Sequence, residues 1–257
     1  MKKYFYLIIS MLILGCQNEG IKEENHENKI EHLYQYSVLA GLNNSNFSGD
    51  LTIKELKTKG DLGVGTYSDL AGELVMVDGK VYQVLETGEI REAPLELTTP
   101  YVTTTFFDKD ASFQEDQLVN YEKLKEVIES KLPSKNYFYA FKITGNFDSV
   151  IYVGVPRQEK PYTKTLADII PERPQFKAEN INGTIVGFWC PYYVGEVTLA
   201  GFHFHFISDD LKTGGHLIDF ESSDLLIEYD EIMRMTFDLQ DNELFRQSEL
   251  KPNQGYQ

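Results

Sequence analysis

Three things are scarce in this sequence, and each scarcity excludes a class of protein. The 257 residues include only 2 cysteines, so a disulfide framework does not hold the fold. Basic residues are outnumbered, since 24 Lys and Arg against 40 Asp and Glu give a net charge of −16. A field of that sign repels nucleic acid and anionic lipid headgroups, so neither is an expected partner. No apolar run reaches the roughly 20 residues that a membrane-spanning helix needs.

Aromatic residues are abundant by contrast, with 16 Tyr and 16 Phe, and this composition favours β-sheet. Apolar spacing and capping residues predict helices over 50–60 and 116–132, and Asp78-Gly79 predicts a hairpin. The other strand candidates lie later in the chain: 137–144, 149–155, 184–189, 197–208, 216–220 and 225–229. We therefore predict an α/β fold of the α+β kind. It has two packed subdomains built on mixed or antiparallel sheets with a few helices, and a sub-boundary in the proline-containing segment 156–174.

The N-terminus has the features of an export signal. A positive head precedes an apolar run over 4–14, which ends at Gly15-Cys16 in a pattern that resembles the bacterial lipobox. This predicts a lipoprotein signal peptide over 1–15, a lipidated Cys16 and a polar tether over 16–31, so that the lipid alone anchors the exported protein to a bacterial membrane. The alternative is an ordinary signal peptide with an incidental cysteine.

Histidines are concentrated in one short segment. His203 and His205 alternate with phenylalanines over 202–206, and a strand places residues i and i+2 on one face about 6.5–7 Å apart. A turn-rich connection follows, so we expect an adjacent returning strand that brings His216 beside them. Three imidazoles with one open position suit a catalytic Zn²⁺. Asp209 and Asp210 are either carboxylates that support the ligands or ordinary turn residues.

Two other interpretations of this segment are compatible with its residues. The histidines would be polar side chains on an exposed sheet face, or they would belong to a cupin-like metal protein, which also uses a His-x-His strand.

Longer strings around the histidines resemble the bacterial acetolactate decarboxylases. The matching strings are GTIVGFW at 183–189, AGFHFHFISDD at 200–210 and GGHLIDF at 214–220, with GDLGVGT at 60–66, GEL at 72–74, VYQ at 81–83, TP at 99–100 and VPRQEKPY at 155–162. They cover roughly 32–252. Because they extend far beyond the His-x-His strand, they disfavour a cupin-like oxygenase.

The resemblance implies a two-part α/β fold built on sheets, a bound Zn²⁺, a homodimer, and conversion of 2-acetolactate to acetoin and CO₂. It assigns His203, His205 and His216 as metal ligands, Glu73 as an active-site carboxyl and Thr66 as a pocket residue. A Lewis-acidic zinc would stabilise the enediolate left by CO₂, and a carboxyl with a raised pKa would deliver a proton to carbon. From the residues alone, Glu73 would be a surface carboxylate at the start of a strand.

Two features of the family have no counterpart here. The resemblance implies an arginine at the position of Val153, and Arg157 matches a separate basic position. It also implies a C-terminal glutamate that reaches the metal, whereas Glu249 lies before the start of that tail. Without this arginine and this glutamate, we expect the protein to keep its metal but to turn over acetolactate weakly or to act on a different substrate. Two functions thus stay open: a zinc-dependent carboxy-lyase, or a repurposed zinc-binding relative that binds a small hydroxy-keto acid.

Overall fold

The computed structural model describes residues 32–250. The predicted signal peptide, Cys16 and the tether lie outside these residues, as does the segment 251–257, so those expectations rest on the sequence alone. Within 32–250, no helix is both long and apolar enough to cross a bilayer.

Strands dominate the described part of the chain. Their bounds are β1 Leu33–Tyr36, β2 Leu51–Thr52, β3 Leu62–Thr66, β4 Glu73–Val77, β5 Lys80–Val84, β6 Ile90–Glu92, β7 Thr98–Thr99, β8 Tyr101–Thr105, β9 Ala111–Glu115, β10 Val119–Asn120, β11 Phe138–Val153, β12 Gln175–Cys190, β13 Gly201–Ser208, β14 Gly214–Ser222, β15 Asp224–Ile232 and β16 Met235–Asp238. The α-helices are α1 Leu39–Asn43, α2 Ile53–Leu56, α3 Tyr121–Lys131, α4 Leu166–Ile169 and α5 Glu243–Gln247. Short 3₁₀ turns lie at Ser68–Leu70, Ile170–Glu172 and Tyr192–Val194.

Two seven-stranded sheets form the fold, which confirms the predicted class. The first has the order β16-β1-β8-β3-β4-β5-β6 and the second has the order β10-β14-β13-β12-β11-β15-β9. Only the β1–β16 pair of the first sheet is parallel among the described strands. In the second sheet β14 also pairs with β11, so β11 to β14 close into a small barrel.

The chain passes from the first sheet to the second between β8 and β9, at residues 106–110, and returns to the first sheet between β15 and β16. The segment 156–174, where the sequence indicates a sub-boundary, joins β11 to β12, which are neighbours in the second sheet. Its prolines and mixed charges break regular structure without ending the sheet, and it contains the short helix α4.

Other predicted boundaries also shift because tertiary pairing overrides local pattern. The predicted helix 50–60 shrinks to α2, since Leu51 and Thr52 pair with β7 before Thr52 caps the helix. The predicted helix 116–132 starts only at α3, behind an Asn120 cap. The predicted strands on either side of Gly145-Asn146 are one continuous strand, β11.

Buried apolar residues form four clusters in the described part of the chain, and two of them include residues of β11 to β14. One fills the barrel with aromatic rings such as Phe141, Phe147, Trp189 and Phe204, packed with Leu124 and other residues of α3. The other lies between the sheets, where Val75 and Val84 meet Val186, Phe188 and Ile207. The barrel face of β13 thus buries phenylalanines, and its opposite face points to the first sheet.

Candidate metal centre

The three clustered histidines lie together on the face of the second sheet that meets the first. His203 and His205 project from β13, and His205 pairs directly with His216 of β14. Their ring centroids are 5.0, 5.1 and 5.2 Å apart. One ligand nitrogen from each ring lies within 4.8 Å of the others. The predicted strand, turn and return are therefore confirmed, and the histidines do not lie on an exposed sheet face.

Hydrogen bonding defines which nitrogen of His205 is available to a metal. Its Nδ1 lies 3.0 Å from the carbonyl oxygen of Leu74 on β4. A carbonyl only accepts hydrogen bonds, so Nδ1 carries the proton and Nε2 keeps its lone pair. Such a contact behind a metal-binding imidazole fixes the orientation of the ring.

The surroundings keep all three imidazoles neutral, the form that binds metals. Burial, with a smaller effect from the charge of Arg173, lowers the pKa of His203 to about 4. Burial also lowers the pKa values of His205 and His216 well below the usual range, and the neighbouring rings add to the effect. A set of three neutral nitrogen ligands fits Zn²⁺.

Glu73 begins β4 and lies directly beside this cluster. Its Oε2 is 3.8 Å from Nε2 of His205, and only 7% of the residue is exposed. Burial raises the pKa of Glu73 to about 8, although the charge of Arg173 opposes the rise. The carboxyl is therefore protonated at neutral pH in the metal-free protein.

The backbone before Glu73 depends on a glycine and a threonine. Gly72 has a φ of 120°, and a Cβ there would lie 2.4 Å from the carbonyl oxygen of Val84. Thr66 pairs with Glu73 across the β3–β4 hairpin and donates a hydrogen bond of 2.8 Å to the Gly72 carbonyl. Because its proton is used in this way, the Thr66 hydroxyl offers a ligand only a lone pair.

A cavity of about 250 Å³ opens onto all of these groups. Its walls are mainly apolar, from Leu39, Leu42, Val155, Leu199 and other residues. Among the described lining residues, Glu73 is the only carboxylate and Arg173 the only lysine or arginine. Such a cavity, apolar with a few convergent polar groups, is typical of a small-molecule site.

Several candidates from the sequence are absent from this cavity. Asp209 and Asp210 are exposed in the β13–β14 turn, where Asp210 accepts a hydrogen bond from Ser208. Arg157 forms an ion pair of 3.2 Å with Asp69 and does not line the cavity. Val153 is buried in the barrel wall opposite His216 and is not a lining residue either.

Arg173 is the functional candidate that the sequence analysis missed. It follows the 3₁₀ turn Ile170–Glu172, in the connection between β11 and β12, and lines the cavity with the histidines and Glu73. Its local sequence, Pro-Glu-Arg-Pro, has no motif that would distinguish it from a solvated arginine.

Comparison with known proteins gives a consistent result. The family described as alpha-acetolactate decarboxylase matches residues 33–252. The alpha-acetolactate decarboxylase of Methanosarcina mazei is 40% identical over 203 residues, which are 79% of this chain and 70% of that protein. The one from Brevibacillus brevis is 36% identical over 85% of this chain and 76% of its own length. The crystal structure of the Bacillus subtilis strain 168 enzyme superposes with a TM-score of 0.83 at 33% identity, covering 85% of this chain and 93% of that one.

Proposed function

This chain belongs to the alpha-acetolactate decarboxylase family, and on that premise we propose that it is a metal-dependent carboxy-lyase that converts 2-acetolactate to acetoin and CO₂. One observation carries the proposal: three imidazoles and one buried carboxyl line a single, mainly apolar cavity. The curated relatives named above support the substrate.

We propose Zn²⁺ as the metal, held by His203, His205 and His216. All three donors are nitrogens, a set that suits zinc better than the oxygen-preferring magnesium or calcium. When bound, the ion would act as a Lewis acid toward substrate oxygens and oppose the negative charge that develops as CO₂ leaves.

The chain's own groups account for the movement of the proton. As the bond between C2 and the carboxylate carbon breaks, CO₂ departs and its electron pair remains on C2, delocalised toward the neighbouring ketone oxygen. The protonated Glu73 carboxyl then gives its proton to carbon, which yields acetoin, and the carboxylate recovers a proton from solvent. Burial raises the pKa of Glu73 in the metal-free protein, which favours the acid role, and burial also keeps the donor on one face of the substrate.

Thr66 and Gly72 act as positioning residues in this scheme. The Thr66 hydroxyl holds the Gly72 carbonyl, and Gly72 immediately precedes Glu73. The apolar walls of the cavity exclude water, which strengthens each electrostatic interaction with the substrate.

The test is turnover of racemic acetolactate by the full-length protein, followed as acetoin formation. We expect activity in the metal-loaded protein, loss on metal removal, recovery on adding Zn²⁺, and none in His203→Ala. Metal-loaded wild type that binds a hydroxy-keto acid without forming acetoin would instead favour the repurposed relative.

A further inference from the structure

Arg173 is held at the cavity by its backbone neighbours. Its Nε donates a hydrogen bond of 3.2 Å to the Ile170 carbonyl, and the Gly154 amide donates one of 3.1 Å to the carbonyl of Pro174, the next residue. The second bond ties this part of the connection to the end of β11. The half-buried arginine therefore has a defined position at the cavity wall.

Among residues 32–250, Arg173 has no carboxylate partner, unlike two other cations of its segment. Arg157 pairs with Asp69 and Lys164 pairs with Glu172, whereas no carboxylate of residues 32–250 lies within ion-pair distance of Arg173. Its side chain instead lines the cavity that also holds the three histidines and Glu73. A guanidinium in a mainly apolar cavity without a protein counter-ion is available to an anionic ligand.

We infer that Arg173 binds the carboxylate of the substrate and selects for 2-hydroxy acids in their anionic form. This assignment rests on the proposed function, since it names the charged group of that substrate. A guanidinium matches a carboxylate through two parallel N–H···O bonds, and no ion pair joins Arg173 to Glu73, the only carboxylate among the described lining residues. The hydroxyl and ketone oxygens of the substrate then face the part of the cavity that the histidines and Glu73 form.

The kinetic consequence separates binding from chemistry. The carboxylate exists before the reaction and is lost as CO₂ during it, so Arg173 holds the ground state at least as tightly as the transition state. Its removal is therefore expected to raise KM more than it lowers kcat. Loss of hydrogen bonds to a charged group such as this carboxylate corresponds to an increase in KM of about 10- to 100-fold.

The experiment compares Arg173→Met and Arg173→Lys with Lys164→Met in the full-length, metal-loaded protein. Lys164→Met is a matched control because it removes one positive charge from the same connection, at an exposed ion pair. We expect KM for acetolactate to rise strongly in Arg173→Met and less in Arg173→Lys, with Lys164→Met near wild type and metal content equal in all. An Arg173→Met enzyme with wild-type KM would overturn the inference while the proposed function stands.

A binding measurement without turnover makes the test independent of activity. The probes are 2-hydroxy-2-methylpropanoate, which lacks the ketone needed for decarboxylation, and its uncharged carboxamide, titrated by NMR. Wild type is expected to bind the carboxylate at least about 10-fold more tightly than the amide. Arg173→Met should lose this preference, and Arg173→Lys should keep part of it even if the methionine variant folds poorly.

The outcomes of this titration are distinct. No preference in wild type, or a preference that survives in both Arg173 variants, overturns the inference whatever the enzyme does to acetolactate. A preference that depends on Arg173, in a protein that forms no acetoin, supports the inference as a binding site and rejects the proposed decarboxylation.

Discussion

The Nε2 atom of His205 lies 3.8 Å from a carboxylate oxygen of Glu73, although the two residues belong to different sheets. The same imidazole bonds through Nδ1 to the carbonyl of Leu74, the residue after Glu73. The first sheet thus orients a proposed metal ligand of the second sheet and places the buried Glu73 carboxyl beside it. The proposed chemistry depends on this junction.

Metal content is the first prediction. The full-length protein is expected to carry about one zinc ion per chain by elemental analysis, and His203→Ala or His216→Ala should abolish stoichiometric binding, because two histidines rarely hold zinc tightly. His32→Ala, which removes an imidazole outside the cluster, is the control that should retain the metal. Full occupancy in both cluster variants would contradict the site.

The pH dependence of stability tests the environment of Glu73. In the metal-free folded protein the pKa of Glu73 is about 8, against the ordinary glutamate value of 4.5 in the unfolded chain. Between these values the folded state binds more protons, so this group's contribution is complete below pH 4.5 and is lost as pH rises through 8. The contribution is on the order of a few kcal/mol.

Glu73→Gln isolates this effect because the histidines are present in both proteins. From pH 5 to 9, we expect the free energy of unfolding of metal-free wild type to fall more steeply than that of Glu73→Gln, in urea titrations. If the free energy of unfolding changes with pH in the same way in both proteins, the pKa of Glu73 in the folded state is at its ordinary value.

The sequence predicts the histidine arrangement better than the rest of the site. Period-2 alternation and one short turn fix the relation of His203, His205 and His216, and these are local features. Glu73 is found only through the family resemblance, because its burial comes from contact between the two sheets.

Other features depend on pairings that a local pattern does not contain. Gly145 resembles a turn residue, but a Cβ there would lie 2.0 Å from the carbonyl oxygen of Asp224, so the glycine permits β15 to approach an unbroken β11. Arg173 reaches the cavity only because β11 and β12 pair from end to end. The local sequence of the connection carries no sign of this placement.

Arg173 also changes what is expected of Val153. Val153 lies opposite both His216 and Gln175 in the sheet, so its side chain shares their face, and Arg173 lies two residues before Gln175. A guanidinium at either position would approach the same side of the cavity. The sequence-based expectation of weak turnover rests on two missing groups, the arginine at position 153 and the C-terminal glutamate. Arg173 removes the first of these reasons, and we expect turnover that depends on Arg173.

Moving the arginine from position 173 to position 153 tests whether the two positions are equivalent. Val153→Arg in the wild-type background should not raise kcat/KM, since two guanidinium groups would repel each other. In the Arg173→Met background it should recover about 10-fold or more of the loss. If the double variant is no better than Arg173→Met while it retains its metal, the two positions are not equivalent.

The N-terminal pattern predicts an exported, lipid-anchored enzyme. Cys16→Ser should leave the precursor uncleaved or release the protein from the membrane fraction, because the acylated thiol is the proposed anchor. Cys190→Ser is the matched control, since Cys190 is buried in the core. Soluble, unlipidated wild-type protein on fractionation and mass spectrometry would contradict the lipobox interpretation.

The most direct test of the central claim is a side-by-side measurement of bound metal and kcat for wild type and Glu73→Gln with acetolactate. Glutamine keeps the shape of the side chain but has no acidic proton to give to carbon. The account predicts equal metal content, acetoin formation by wild type, and a kcat lowered by about 10²–10⁴-fold in the variant. Equal kcat in the two proteins, or no acetoin from metal-loaded wild type, would contradict it.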